Sequence, residues 1–239
     1  MSPARPYGME GEHSFCYLEE RAHRVGTLTL ANYRKQWPRI GAVLAMALGG
    51  TAALSSRKLT KLQLLSLANF IALLVHQYEE YQDPGWFPGQ FNGGLFKSDT
   101  PQNYPLNTHS AMCINTVVGY PFYIAPILAP KVKWLGLGPV LFGMGQAVGH
   151  GIIFPRMAGD KYSPGFLASI LLHVPIGITY IRALREGGQL TGSDWRKGVA
   201  YQVAIAALGV AAPNALLRDR HSPYAFTDAQ VGPHGAVTV

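Results

Sequence analysis

Six apolar runs, each long enough to cross a bilayer at about 17 to 25 residues, dominate this chain. They fall at 38–55, 62–81, 109–129, 134–154, 164–184 and 196–217. In lipid, every backbone N–H and C=O must be bonded within its own segment, so a continuous apolar run of this length takes the form of an α-helix. The expected fold is all-α: an integral membrane helical bundle of five or six transmembrane helices. The count is five or six because the first run is rich in Gly and Ala and only weakly apolar. Apolar residues make up 48% of the chain and charged residues 14%, well below the roughly 25% charge of an average soluble protein.

The charges gather between the apolar runs, in the short connections SSRKLTK, APKVK and REGGQLTGSDWRK. The net charge of +7 therefore reads as basic residues placed among lipid headgroups. There is no basic face or known module to suggest nucleic acid. Residues 1–36 form a polar segment of mixed charge that does not read as a secretory signal. Residues 37–217 form the bundle, and 218–239 read as a flexible tail. Cys16 and Cys113 lack metal-site spacing, and no disulfide between them is expected. The connection from Gln82 to Thr108 stands apart: it is long, and it carries Trp86, Phe87, Phe91, Phe96 and Tyr104. A loop of that length and aromatic content is functional or interfacial.

The exception to the apolar pattern is VHQYEEY, residues 75–81, which closes a run, LLSLANFIALLV, without a single charge. His76, Glu79 and Glu80 stand at i, i+3 and i+4 and share one helical face. Ionisable groups in such a segment must pair, bind a metal or line a polar cavity, which marks a functional site. The bland alternative is that both carboxylates are interfacial and solvated. Because consecutive helices reverse direction, the same end of the bundle also receives Asn107, His109 and Asn115, then Gln146 and His150, then Tyr162 and, deeper, His173.

This convergence makes Glu79, Glu80 and His76 the candidate catalytic residues. The candidate metal ligands are His76, Glu80, His109, His150 and His173, a donor set suited to iron, zinc or manganese. Trp86, Asn107, Asn115 and Tyr162 are candidate substrate contacts. Each has a structural alternative: a satisfied core histidine for His150 and His173, a helix cap for His109, and an interfacial belt for Trp86 and its neighbours. No nucleotide-binding motif is evident.

HQYEEY resembles the signature of the HXXEE family, small and mostly bacterial membrane proteins of unknown function. WFPGQFN, INTVVGYPFY, GQAVGH and KYSPGFLASILLHVPIG also resemble that family in order and spacing, over roughly residues 70–185. The resemblance implies a membrane-embedded active site and no particular chemistry. With the residue pattern it leads to three expectations. The first is a metal-dependent enzyme oxidising or hydrolysing a hydrophobic or amphiphilic small molecule. The second is a metal-free acid–base isomerase or cyclase of an isoprenoid-type or epoxide substrate. The third is a small transporter or sensor. Expected surroundings are membrane lipid, the bacterial inner membrane and a possible homo-oligomer. The basic internal loops lie opposite the site while the terminal segments add basic residues on its own side, which leaves a slight lean of its face to the non-cytoplasmic side.

Overall fold

A computed structural model of the protein describes residues 29–188 and 190–235; the polar segment up to residue 28, with Cys16, lies outside the described residues, as do Gln189 and residues 236–239. The chain divides into two compact units, Met1–Lys35 and Gln36–Val239. The described part of the first is only the opening of a helix. The second is a helical bundle, and no strand occurs among the described residues.

The helices are α1 (Leu30–Ser55), α2 (Lys61–Tyr81), a short α3 (87–95), α4 (Thr108–Leu128), α5 (Lys133–Ala158), α6 (Phe166–Glu186), α7 (Gly192–Leu216) and a single turn, α8 (Asp228–Val231). Five of them, α1, α4, α5, α6 and α7, are long and apolar enough to cross a membrane. The protein is an integral membrane protein. α1 begins earlier than the boundary read at residue 38, and Pro38 sits inside it. α2, α4 and α7 begin at capping boxes on Thr60, Asn107 and Thr191, where side chains satisfy backbone N–H groups that have no helical partner.

α2 is the central element. It packs against α4, α5 and α6, and Phe70, Ala72 and Leu74 are buried in its middle. One apolar cluster joins Ala45, Phe70, Leu73 and Leu74 to Phe122 and Tyr123; another joins Leu137 and Val140 to Tyr180 and Leu184. Glycines let the helices approach closely. A side chain at Gly136 would overlap Tyr180, and one at Gly177 would overlap Met144. A wide π turn interrupts each of α4, α5, α6 and α7, at Cys113–Val118, Gly149–Ile153, Ser169–His173 and Ile205–Ala211. An extra residue in a turn re-aims the side chains around it, and these turns hold Asn115, His150 and His173.

The chain beyond α7, expected as a flexible tail, makes specific contacts with the rest of the bundle. Residues 217–235 return across the end of the bundle where α2 finishes. Tyr224 O accepts from Thr108 N at 2.9 Å, and Phe226 N donates to Gln102 O at 2.7 Å. Phe226 is buried beside Tyr81, and Gln230 Nε2 donates to Tyr81 O at 3.0 Å. Val231 presses on Gly89, where no side chain would fit. The segment is short and polar, with no period of its own, because its order comes from contacts with the 82–107 connection. Replacing Phe226, 5% exposed, with Ala should lower unfolding free energy in detergent by about 3–5 kcal/mol, the usual cost of emptying an aromatic site. Reversible denaturation of the two proteins measures this, and an unchanged midpoint would show that the returning segment adds nothing to stability.

Candidate functional site

The last turns of α2 bring His76 and Glu80 to the level of the π turn in α5, which carries His150. All three side chains are buried. Glu80 Oε1 lies 3.4 Å from His76 Nε2 and 3.3 Å from His150 Nε2, and the three donor atoms lie within 4.8 Å of one another. Among the described residues this is the group of His, Cys, Asp and Glu side chains that could hold a metal ion.

A hydroxyl group in α6 and one on the turn before it hold both rings. Ser169 Oγ donates its one hydrogen to Gly165 O at 2.6 Å, so towards His76 Nδ1, 3.2 Å away, it can only accept. His76 therefore carries its proton on Nδ1, and in the neutral ring the Nε2 lone pair faces Glu80. That nitrogen is buried without a hydrogen-bond partner. His150 Nδ1 meets Ser163 Oγ at 2.9 Å, and its ring stands between Phe87 and Phe154, each at a centroid distance of 4.9 Å. Gly165 closes the site from below at φ +103°, and a Cβ there would come within 2.8 Å of both imidazole rings. Only glycine serves at this position.

The neighbouring carboxylate does other work. Successive helical residues point about 100° apart, and Glu79 turns towards α6 instead of the cluster. It accepts from the Tyr162 hydroxyl, from Leu167 N at 3.1 Å and from Ala168 N at 2.8 Å. An anion at a helix N-terminus satisfies free N–H groups and meets the positive end of the helix dipole. Burial and the facing carboxylate push the Tyr162 phenol above its ordinary value, so it stays protonated as the donor. Glu79 and Tyr162, expected as a catalytic residue and a substrate contact, thus form an anchor that docks α6 on α2, outside the cluster.

Other candidates also fall outside the cluster. His173 is buried near it, its ring 5.6 Å from that of His76, with Nδ1 held by Asn69 Oδ1 at 2.9 Å. His109 is half-buried against Tyr224 and Cys113. Asn107 caps α4 and ties Leu217 O of the returning chain at 3.0 Å. Trp86 packs beside Tyr162, Gly232 and His234. Asn115, by contrast, lines a cavity of about 200 Å³ with His76, Glu80 and His150 at its polar end. The aromatics of the long connection that reach this cavity are Phe87 and Phe91.

Residues 67–180 match the family described as "Protein of unknown function with HXXEE motif". This region is of the HXXEE family. The motif's histidine and second glutamate meet in the cluster, and its first glutamate is the anchor. The HXXEE region runs from within α2 to within α6 and so includes His150, Ser163, Gly165 and Ser169. α1, α7 and the returning chain stand outside it. No curated protein and no solved structure matches the chain.

The sequence places Ser163 and Gly165 at this end of the bundle with Tyr162 without a role, and it gives no place to Asn69, Gln77 or Ser169. A signal existed for some of them. Ser66, Asn69, His76, Gln77 and Glu80 form a buried polar stripe along an otherwise apolar helix. Glu79→Gln should lower stability by about 1.5–3 kcal/mol, the scale of a charged hydrogen bond. Thermal melts of detergent-solubilised protein test this: a melting point equal to that of the wild type would refute the anchor.

Proposed function

We propose that this protein is an integral membrane metalloenzyme acting on a hydrophobic or amphiphilic small molecule by oxidation or hydrolysis. His76 Nε2, His150 Nε2 and Glu80 would hold one divalent ion, with iron, zinc or manganese the fitting choices for nitrogen and oxygen donors. The observation that carries the reading is the separation of 3.3 and 3.4 Å between the nitrogens and the carboxylate oxygen. Ligands about 2.0–2.1 Å from a tetrahedral ion sit about 3.3–3.4 Å from one another. A charge-assisted N–H···O bond is shorter, about 2.7–2.9 Å. The His76 tautomer points the same way, because a lone pair and a carboxylate facing each other in a buried site need a cation between them.

When bound, such an ion supplies Lewis-acid polarisation of a substrate oxygen and, with three protein ligands, leaves room for one. The residues around it would do the rest. Ser169 and Ser163 hold the two imidazoles in their ligating orientation, as outer-shell partners do in metal sites. Phe87 and Phe154 exclude water. His173 stands beside the site with its Nδ1 on Asn69 and its Nε2 buried without a partner. The resemblance to a mostly bacterial family and the placement of basic loops support an inner-membrane location with the site towards the non-cytoplasmic side.

The runner-up, a metal-free acid–base isomerase or cyclase, draws on the same gap, since a proton shared between His76 and Glu80 would also fill it. Metal analysis of protein purified without chelator separates the two. About one equivalent of iron, zinc or manganese per chain is expected. His76→Ala and His150→Ala should lose metal and activity together. Glu80→Gln should lose activity while folding is kept. His173→Ala should keep its metal. Full activity in chelator, with no stoichiometric metal at any pH, would sink the metal reading and promote the acid–base one.

A further inference from the structure

The cavity beside the cluster has apolar walls, among them Leu73, Phe122, Phe142 and Ile205, and a small number of polar atoms that choose what can lie there. The most telling is on Gln77, the residue after His76. Its Nε2 donates to Asn115 O at 3.3 Å and to Asn115 Oδ1 at 3.2 Å. The first of these is a backbone carbonyl, which only accepts, so the amide cannot be turned round. Asn115 is itself fixed, donating through Nδ2 to Ala111 O at 2.9 Å and to Tyr81 Oη at 3.3 Å. Gln77 Oε1 is left buried without a partner, on a residue 1% exposed that lines the cavity. Tyr123 Oη is likewise buried and unpartnered on the cavity wall.

A buried carbonyl oxygen requires a donor. A ketone, an ether or a hydrocarbon placed against Gln77 would leave it unpaired, whereas a hydroxyl satisfies it and can accept in turn. Sites built around such an atom reject analogues that lack the hydrogen.

The way in is also legible. At the end of the bundle where α2 finishes, Tyr81 is buried together with Phe87 and Leu106 of the 82–107 connection, and the returning chain bonds to that connection. Sideways the cavity is less closed. α7 packs on α5 through its first half, where Gly198 meets Leu137 and Tyr201 stacks edge-on with Trp134. Further along, Ile205, Val210 and Asn214 of α7 and Phe142, Gln146 and Phe154 of α5 line the cavity, and all six are half-buried. Exposed Leu208 and Val148 lie on the same stretches. Only 6% of the apolar window of α7 is buried, against 22% to 39% for the other spans.

We infer that the substrate of this site is a lipid-soluble alcohol that enters sideways from the membrane between α5 and α7 and donates its hydroxyl to Gln77 Oε1 beside the His76–Glu80–His150 cluster. The inference rests on the reading of this cavity as the active site. It concerns binding alone.

The test uses three probes of equal heavy-atom count, 1-decanol, 2-decanone and methyl nonyl ether, titrated onto the full-length protein in nanodiscs, with metal content measured on each sample. Wild type should bind decanol about tenfold or more tightly than the other two, the factor left by an unpaired buried acceptor. Gln77→Leu should bind all three alike. Val210→Trp should slow decanol binding severalfold and leave the preference intact. Equal affinity of the wild type for the three probes overturns the inference whether or not Gln77→Leu folds. An unchanged association rate in Val210→Trp overturns the lateral route. A decanol preference in active protein that carries no metal as purified without chelator overturns the metal reading alone. Full metal with no preference overturns this inference alone.

Discussion

A carboxylate buried among apolar helices cannot stand by itself, and the placement of Glu80 conditions much of the rest. Removing an ion from water costs several kcal/mol even after the protein relaxes. Glu80 has no Lys or Arg ion pair among the described residues, and only two imidazoles approach it. α2 and α5 must therefore be held in one register, with His150 opposite the last turns of α2. The cap on Thr60, the apolar clusters along α2 and the close contacts at glycines all hold that register. The cost of an uncompensated Glu80 explains why so much of the bundle's polar bonding is spent near one site.

The two adjacent glutamates divide the work. Glu80 faces the two histidines, and Glu79 accepts two backbone N–H groups at the start of α6 and the hydroxyl of Tyr162. The second arrangement makes the first possible. Docking α6 by its N-terminus brings Gly165 and Ser169 under His76 and, through the turn before it, Ser163 under His150. Each serine sets a ring orientation, and the glycine leaves the space that both rings occupy. π turns in α4, α5 and α6 then carry Asn115, His150 and His173 inward against α2, re-aimed from where a regular helix would place them.

The cavity inherits its character from how it is closed. The connection after α2 and the chain after α7 cover one end through main-chain bonds and buried aromatic contacts, so water-facing polar groups contribute little to its walls. α7, the least buried span, forms the side facing lipid. A site enclosed in this way favours ligands that already live in the membrane, which agrees with the proposed substrate class.

Much of this was legible in the sequence because membrane physics leaves few options. Apolar runs of bilayer length dictated helices, alternating direction placed their polar ends together, and His76, Glu80 and His150 followed from that geometry. The division between Glu79 and Glu80 was not legible. Both lie on nearly the same face of α2, and only the packing of α6 decides which meets a helix N-terminus and which meets histidine. His109, His173 and Trp86 carry suitable chemistry, yet Tyr224, Asn69 and the returning chain claim them. That chain has no periodicity to read, since its order comes from surfaces formed by distant residues. Residue type and spacing determined which groups could act and at which end of the bundle. Tertiary contacts alone decided which of them share one small volume, because that depends on helix rotation and on partners far apart in the chain.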